Sequence, residues 1–301
     1  MSVAALLLLV LAGGIALAGC GGVSAGATGD GVRVVAAENF WGSIARQVGG
    51  THVTVQSIIV NPAQDPHSYE PSSADARTMA EAQLAIVNGI GYDPWAPKLM
   101  AANPVDGRRV VTVGARFGLH EGDNPHRWYD PQEVEAVAGA IAKTLTKLDP
   151  NQGRYFAAGL RTFETQGLGQ YHALIAQIRR RYAGVAVGAS ESIFALQAPA
   201  LGLNLITPTG LMKAVSEGTD ITARDASRAE SQITAGKIKV WIYNTQNQTP
   251  EVQHLSSLAR SHHVPILTIT ETLTPATASF EQWQTEQLER LASALHRATG
   301  R

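Results

Sequence analysis

The chain has 301 residues, 45% of them apolar and 16% charged, with a formal net charge of −1. That length favours two lobes of roughly 100–150 residues over a single core. Without a basic stripe or run of Lys and Arg, the composition excludes a nucleic-acid binder.

The first stretch, "VAALLLLVLAGGIALAGCGG", is an uncharged apolar run, short and broken by glycine for a membrane span. It reads as a secretory signal peptide over residues 1–19, although "MSV" lacks the usual positive charge. Leu17-Ala18-Gly19-Cys20 looks like a bacterial lipobox, which makes Cys20 the lipid-modified first residue of the mature chain. Cys20 is the only cysteine, so disulfides and thiolate metal ligands are excluded. "GGVSAGATGDG" follows as a flexible tether over residues 20–31.

From Val32 the pattern alternates. "VRVVAAENF" reads as a buried strand, "WGSIARQVGG" as a helix ending at glycine, "THVTVQSIIV" as a strand, "SADARTMAEA" as a helix from a serine cap, and "QLAIVNGI" as a strand. "DPWAPKLMAAN" and "RRVVTVGA" complete a first β/α set. "DPQEVEAVAGAIAKTLTKLDP" is a helix bounded by prolines, and helical periodicity then continues for about thirty residues, with Gly167 and Gly169 weakening its continuity. "GVAVGAS", "LNLITPTG", "KVWIYNTQ" and "PILTITETL" read as strands of a second set. "IFALQAPALG", "DASRAESQITAGKI", "PEVQHLSSLARSHHV" and "SFEQWQTEQLERLASALHRAT" read as its helices. The expected architecture is α/β: a mainly parallel-sheet lobe over residues 32–148, a long linking helix over 149–182, and a second such lobe over 183–301.

Two segments carry the chemistry. "DPHSYEP" and "NPHRWYDP" each place a histidine, His67 and His126, on a turn stiffened by the preceding proline. Both follow strands of the first lobe, at the edge where α/β folds gather ligands. A rigid turn has little ordering entropy left to lose when an ion arrives, so the pair reads as metal ligands. Asp65, Glu70 and Asp130 are candidates to accept the second imidazole N–H. In the second lobe Glu191 and Glu271 stand just past strands, as further ligands or as helix caps. His262 and His263 read as cations closing a helix, and the remaining histidines show no ligand spacing.

"DPHSYEPSSADARTMAEAQLAIVNGIGYDPW" and "NPHRWYDPQEVEAVAGAIAKTLTKLDP" resemble the zinc and manganese solute-binding lipoproteins of ABC importers, the cluster A-I, TroA-like family. The resemblance runs from about Val32 to the C-terminus. It implies two lobes joined by a rigid helix, with metal held between them by two ligands from each lobe. Carried over, those ligands are His67, His126, Glu191 after Ser190, and Glu271, which stands where the family usually has aspartate. Two imidazoles and two carboxylates match a divalent ion (Mn²⁺ or Zn²⁺, with Fe²⁺ a further candidate), and the donor set leans slightly to Mn²⁺. Four protein ligands leave no position for an activated water, so a carrier is expected rather than an enzyme. The implied protein is a monomer anchored through its lipid to the outer face of the cell membrane, with an ABC permease and its ATPase as partners. The alternatives are a surface adhesin with the same fold and a metal-dependent hydrolase.

Overall fold

The computed structural model describes residues 31–301. The signal peptide, Cys20 and the tether as far as residue 30 lie outside the described residues.

The first lobe is a parallel sheet of β1 (Val32–Glu38), β2 (Val53–Ile59), β3 (Leu84–Val87) and β4 (Arg109–Thr112), in the order β2-β1-β3-β4. Helices α1 (Asn39–Gly49), α2 (Ser73–Ala80) and α3 (Trp95–Ala102) connect the strands, and the single turn α4 (Val113–Arg116) follows β4. β1 shows why its sequence is apolar almost throughout. Val32, Val34 and Ala36 join one buried cluster while Val35 and Ala37 join another, because alternate side chains leave opposite faces and both faces are covered. The serine expected to cap α2 does so: Ser72 and Asp75 form a reciprocal capping box.

After α5 (Pro131–Leu148), α6 (Gly153–Thr162) and α7 (Gly169–Tyr182) run end to end through a π-helical turn at Phe163–Gly167. There Leu168 N–H reaches back to Phe163 O at 2.8 Å. The two glycines therefore mark a π-bulge in one continuous rod of about 30 residues, roughly 45 Å at 1.5 Å per residue. The rod is packed along its length: Phe156, Phe163, Leu168, Tyr171, Ile178 and Tyr182 are all buried in the cluster that also holds β1 and β5 residues. Gly159 makes the closest contact. A Cβ there would lie 2.3 Å from the Val48 carbonyl oxygen, so only glycine lets the rod lie against α1.

The second lobe repeats the first. β5 (Ala186–Ala189), β6 (Asn204–Leu205), α8 (Thr209–Ser216), α9 (Ala223–Thr234), β7 (Trp241–Asn244), α10 (Pro250–Ser261), β8 (Ile266–Ile269) and α11 (Phe280–Thr299) follow in order, and the parallel sheet runs β6-β5-β7-β8. Two local expectations are corrected here. The stretch read as a short helix after β5 contains only a 3-10 turn at Ser192–Leu196. The strand read through "LNLITPTG" shrinks to two residues, because Pro208 ends it and α8, absent from the sequence reading, begins at Thr209.

In both sheets the chain leaves the first strand to one side and returns on the other. The switch points therefore lie between β1 and β3 and between β5 and β7, where a crevice opens at the carboxyl ends. No helix of the described residues is long and apolar enough to cross a membrane.

Candidate metal centre

His67 sits in a 3-10 turn after β2, with its own N–H donating to Asp65 Oδ1 at 2.9 Å. His126 follows α4 and is fully buried. Its ring is oriented by the residue two before it. Asn124 Nδ2 donates to Ser192 O at 2.8 Å, which turns Asn124 Oδ1 toward His126 Nδ1 at 2.8 Å. An amide oxygen only accepts, so His126 carries its proton on Nδ1 and leaves a lone pair on Nε2.

That lone pair faces another acceptor. Glu271, at the start of the loop after β8, is fully buried, and its Oε2 lies 3.8 Å from His126 Nε2 and 3.4 Å from His67 Nε2. The ligand atoms of the three residues lie within 4.8 Å of one another. Neither Nε2 has a hydrogen-bond partner among the described residues. Two buried imidazole nitrogens converging on a carboxylate are a donor set that fits a cation. Glu191, just past β5, is also fully buried and stands beside this group rather than within it. Its two oxygens accept from Asn244 Nδ2 and Asn247 Nδ2.

The carboxylates expected beside the imidazoles are placed otherwise. Asp130 caps α5, accepting from the Gln132 and Glu133 N–H groups, so Asn124 takes the position expected of it. Glu70 is exposed. Asp65 holds the backbone of His67. His262 and His263 are exposed where α10 ends, His263 with a left-handed φ of 57°, as helix-closing residues.

Burial and charge act on the ionisable groups in opposite senses. Burial pulls the His126 pKa down, to about 3, keeping the ring neutral. Burial also opposes charge on His67, but the Glu271 carboxylate outweighs it and lifts His67 to about 9. Glu191 is raised to about 8 by burial and then by the neighbouring Glu271 charge. Glu271 is itself held below the usual carboxylate range: burial pushes it up, and the His67 charge outweighs that.

Sequence reasoning missed Tyr92. Its hydroxyl donates to Glu271 Oε2 at 2.7 Å across the two lobes. The turn 88–93 aims it. Gly89, Ile90 and Gly91 all have positive φ, of 72°, 61° and 80°, a conformation costly for a β-branched residue. Asp93 holds the turn by accepting the Asn88 and Gly89 N–H groups, both at 2.7 Å. Two glycines around "NGIGYD" were the only signal available in the sequence.

Behind Tyr92 lies a second acid, Glu38, at the end of β1. It is fully buried, and neither oxygen has a partner by hydrogen-bond geometry among the described residues. Burial and then adjacent Asp93 raise its pKa well above the ordinary value, so Glu38 holds a proton. A raised pKa contributes stability in full below the ordinary carboxylate range and loses it as pH rises through the folded value. Glu38→Gln cannot ionise. The melting temperature of the variant relative to wild type should therefore climb between pH 5 and pH 9; a difference that shrinks over that interval would contradict the assignment.

The crevice between the lobes opens on a cleft of about 840 Å³, with Asp65, Glu121, Asp123 and Glu217 on its wall beside Lys213. Its rim is tied by Lys213 Nζ donating to Gly122 O at 3.2 Å.

Residues 34–294 match the protein family described as zinc-uptake complex component A, periplasmic (ZnuA). The chain belongs to that family. Among curated relatives, the manganese-binding lipoprotein MntA of Halalkalibacterium halodurans is 28% identical over 151 residues, 48% of this chain and 50% of the relative. The manganese ABC transporter substrate-binding lipoprotein PsaA of Streptococcus pneumoniae serotype 4 is 30% identical over 171 residues, 52% of this chain and 55% of the relative. The chain thus spans about half the length of the curated relatives it matches. The ZnuA-family fold extends further. The solved structure of a manganese-bound periplasmic metal binding protein from candidatus liberibacter asiaticus superposes with a TM-score of 0.71 at 19% identity, covering 88% of this chain and 99% of that one.

Proposed function

We propose that the protein captures a divalent transition ion between its lobes and hands it to an ABC permease and its ATPase, from the extracytoplasmic face of the cell membrane, to which lipidated Cys20 anchors it. The ion is cargo. His67 and His126 grip it from residues 32–148, Glu191 and Glu271 from residues 183–301, and the rod within 149–182 holds the two halves at a set distance. The observation that carries this reading is the convergence on Glu271 Oε2 of two buried imidazole nitrogens that make no hydrogen bond among the described residues. The relatives named for manganese and the family named for zinc agree with it. Two carboxylates suit Mn²⁺, whereas intrinsic affinity favours Zn²⁺, so selectivity has to come from geometry and supply. With Glu191 joining the three gathered residues as fourth ligand, the site would keep no position for an activated water, which suits a carrier and not a hydrolase.

Metal analysis of natively purified protein, followed by Mn²⁺ and Zn²⁺ titration of the chain from Gly21 onward, tests the proposal. An ion at 100 times its Kd should stabilise the fold by about 2.7 kcal/mol. No shift in melting temperature with either ion would refute the reading.

Binding should also displace protons. His67 and Glu191 have raised pKa values, about 9 and about 8, and an ion takes the place of those protons. At pH 7 uptake should release at least about one proton per ion, and apparent affinity should rise with pH through about 9, above which both groups are deprotonated. Calorimetry in buffers of differing ionisation enthalpy reads the proton count. In the metal-free protein the His67–Glu271 pair works in the opposite direction. Its stabilising contribution is complete between the ordinary carboxylate and histidine pKa values, fades as pH rises through about 9, and is lost as pH falls through the lowered Glu271 pKa.

A further inference from the structure

We propose that Asn244 is a positioning residue that yokes the two carboxylates of the second lobe, fixing the separation at which Glu191 and Glu271 are presented to the ion. The inference rests on the ligand reading above and deepens it.

Asn244 is the last residue of β7 and is fully buried. Its single amide nitrogen has two hydrogens and uses both on acids, one on Glu191 Oε1 and one on Glu271 Oε1, the latter at 2.7 Å. The orientation of the amide is fixed from behind, since Asn244 Oδ1 accepts the Gln246 N–H at 3.0 Å. The next residues complete a cradle. Asn247 Nδ2 donates to Glu191 Oε2 and to Val215 O, each at 3.0 Å. Gln246 Oε1 accepts the N–H groups of Glu271 and Thr272 at 2.7 and 3.1 Å. Gln246 Nε2 donates to Gln64 O at 2.7 Å, three residues before His67 in the other lobe. The end of β7 and the loop after it thus supply no ligand and three amides.

Two buried carboxylates side by side repel, and no Lys or Arg of the described residues forms an ion pair with either. A neutral donor shared between them gives each a charge-assisted hydrogen bond without adding a cation that would compete with the metal. Each carboxylate oxygen has two acceptor sites, so an oxygen bonded to an amide keeps a lone pair for the ion. Asn244 thus does for the acids what Asn124 does for His126: it decides where the ligand points.

A double-mutant cycle tests this, with Mn²⁺ and Zn²⁺ dissociation constants measured for wild type, Asn244→Ala, Glu191→Gln and the pair. Asn244→Ala should weaken binding about 10–100-fold, the range typical for loss of a residue that orients a ligand. In the Glu191→Gln background the same change should cost clearly less than in wild type, because one of the two ligands it positions is already lost and Glu271 is still held by Tyr92 and Gln246. The Co²⁺ absorption spectrum of Asn244→Ala should match that of Glu191→Gln, a signature that a merely structural role would not produce. Asn244→Asp keeps the side-chain shape and the bond from Gln246 but not the donors, and should bind as weakly as the alanine variant. Wild-type affinity in either Asn244 variant, or effects that multiply in the double mutant, would overturn the inference and leave the ligand reading standing. Unchanged affinity in Glu191→Gln would instead remove both.

Discussion

Replacing His126 with alanine should weaken Mn²⁺ and Zn²⁺ binding by more than about 100-fold, beyond what loss of a merely supporting residue costs. His126 presents a neutral ring, its proton committed to Asn124 and its Nε2 lone pair aimed at the point where His67 and Glu271 meet. Nothing nearby can replace it. Ser192 Oγ approaches only Nδ1, at 3.4 Å, and Arg127 is locked to Glu133 by an ion pair. Because His126 is fully buried, its removal also disturbs packing, so His67→Ala is the paired experiment. The His67 side chain is 20% exposed, so its loss opens less of the core, and its cost to the metal-free fold is confined to the lost pair with Glu271. Titration monitored by calorimetry should show both variants crippled, while the metal-free melting temperature of His67→Ala falls only by the lost pair and approaches wild type as pH rises through about 9. Retained binding in both would defeat the two-histidine grip.

Trp128→Ala should be the most destabilising of the changes considered, by about 3–5 kcal/mol, as for other buried Trp or Phe truncations. Trp128 is fully buried, stacked on Phe40 at a centroid distance of 4.0 Å, 5.0 Å from Tyr92 and 5.3 Å from His126. The ring is therefore the wall behind two groups of the metal centre and part of the core that runs from β1 into the second lobe. Its Nε1 has no partner among the described residues, so losing that N–H strands no acceptor and the effect is one of lost volume. A fall in melting temperature on the order of 10 °C is expected for a chain this size. Metal affinity should fall with it as His126 loses its backing. Trp128→Phe refills most of the space and should restore the larger part of both. A melting temperature within about 2 °C of wild type for the alanine variant would show that the wall bears no load.

The two Pro-His segments were legible because proline restricts backbone freedom locally, whatever the rest of the fold does. Strand and helix periodicity was legible for the same kind of reason: β1 is buried on both faces, and its apolar run says so. The amide loop 244–247 carried no such mark. "NTQN" is ordinary turn composition until β5, β7 and β8 are laid side by side and Asn244 falls between two acids that lie 53 and 27 residues away in the chain. Tyr92 was hidden likewise, since its partner Glu271 lies 179 residues downstream.

By itself the sequence determined the α/β alternation, the two rigid histidine turns and the candidate acids at strand ends, all of which follow from backbone restriction and from side-chain periodicity within a few residues. The tertiary structure decided which of these meet. It brought His67, His126 and Glu271 together, held Glu191 beside them on two amides, and turned Asp130 away to cap a helix. Those outcomes depend on hydrogen bonds and burial between segments far apart in the chain, and local pattern carries no information about them.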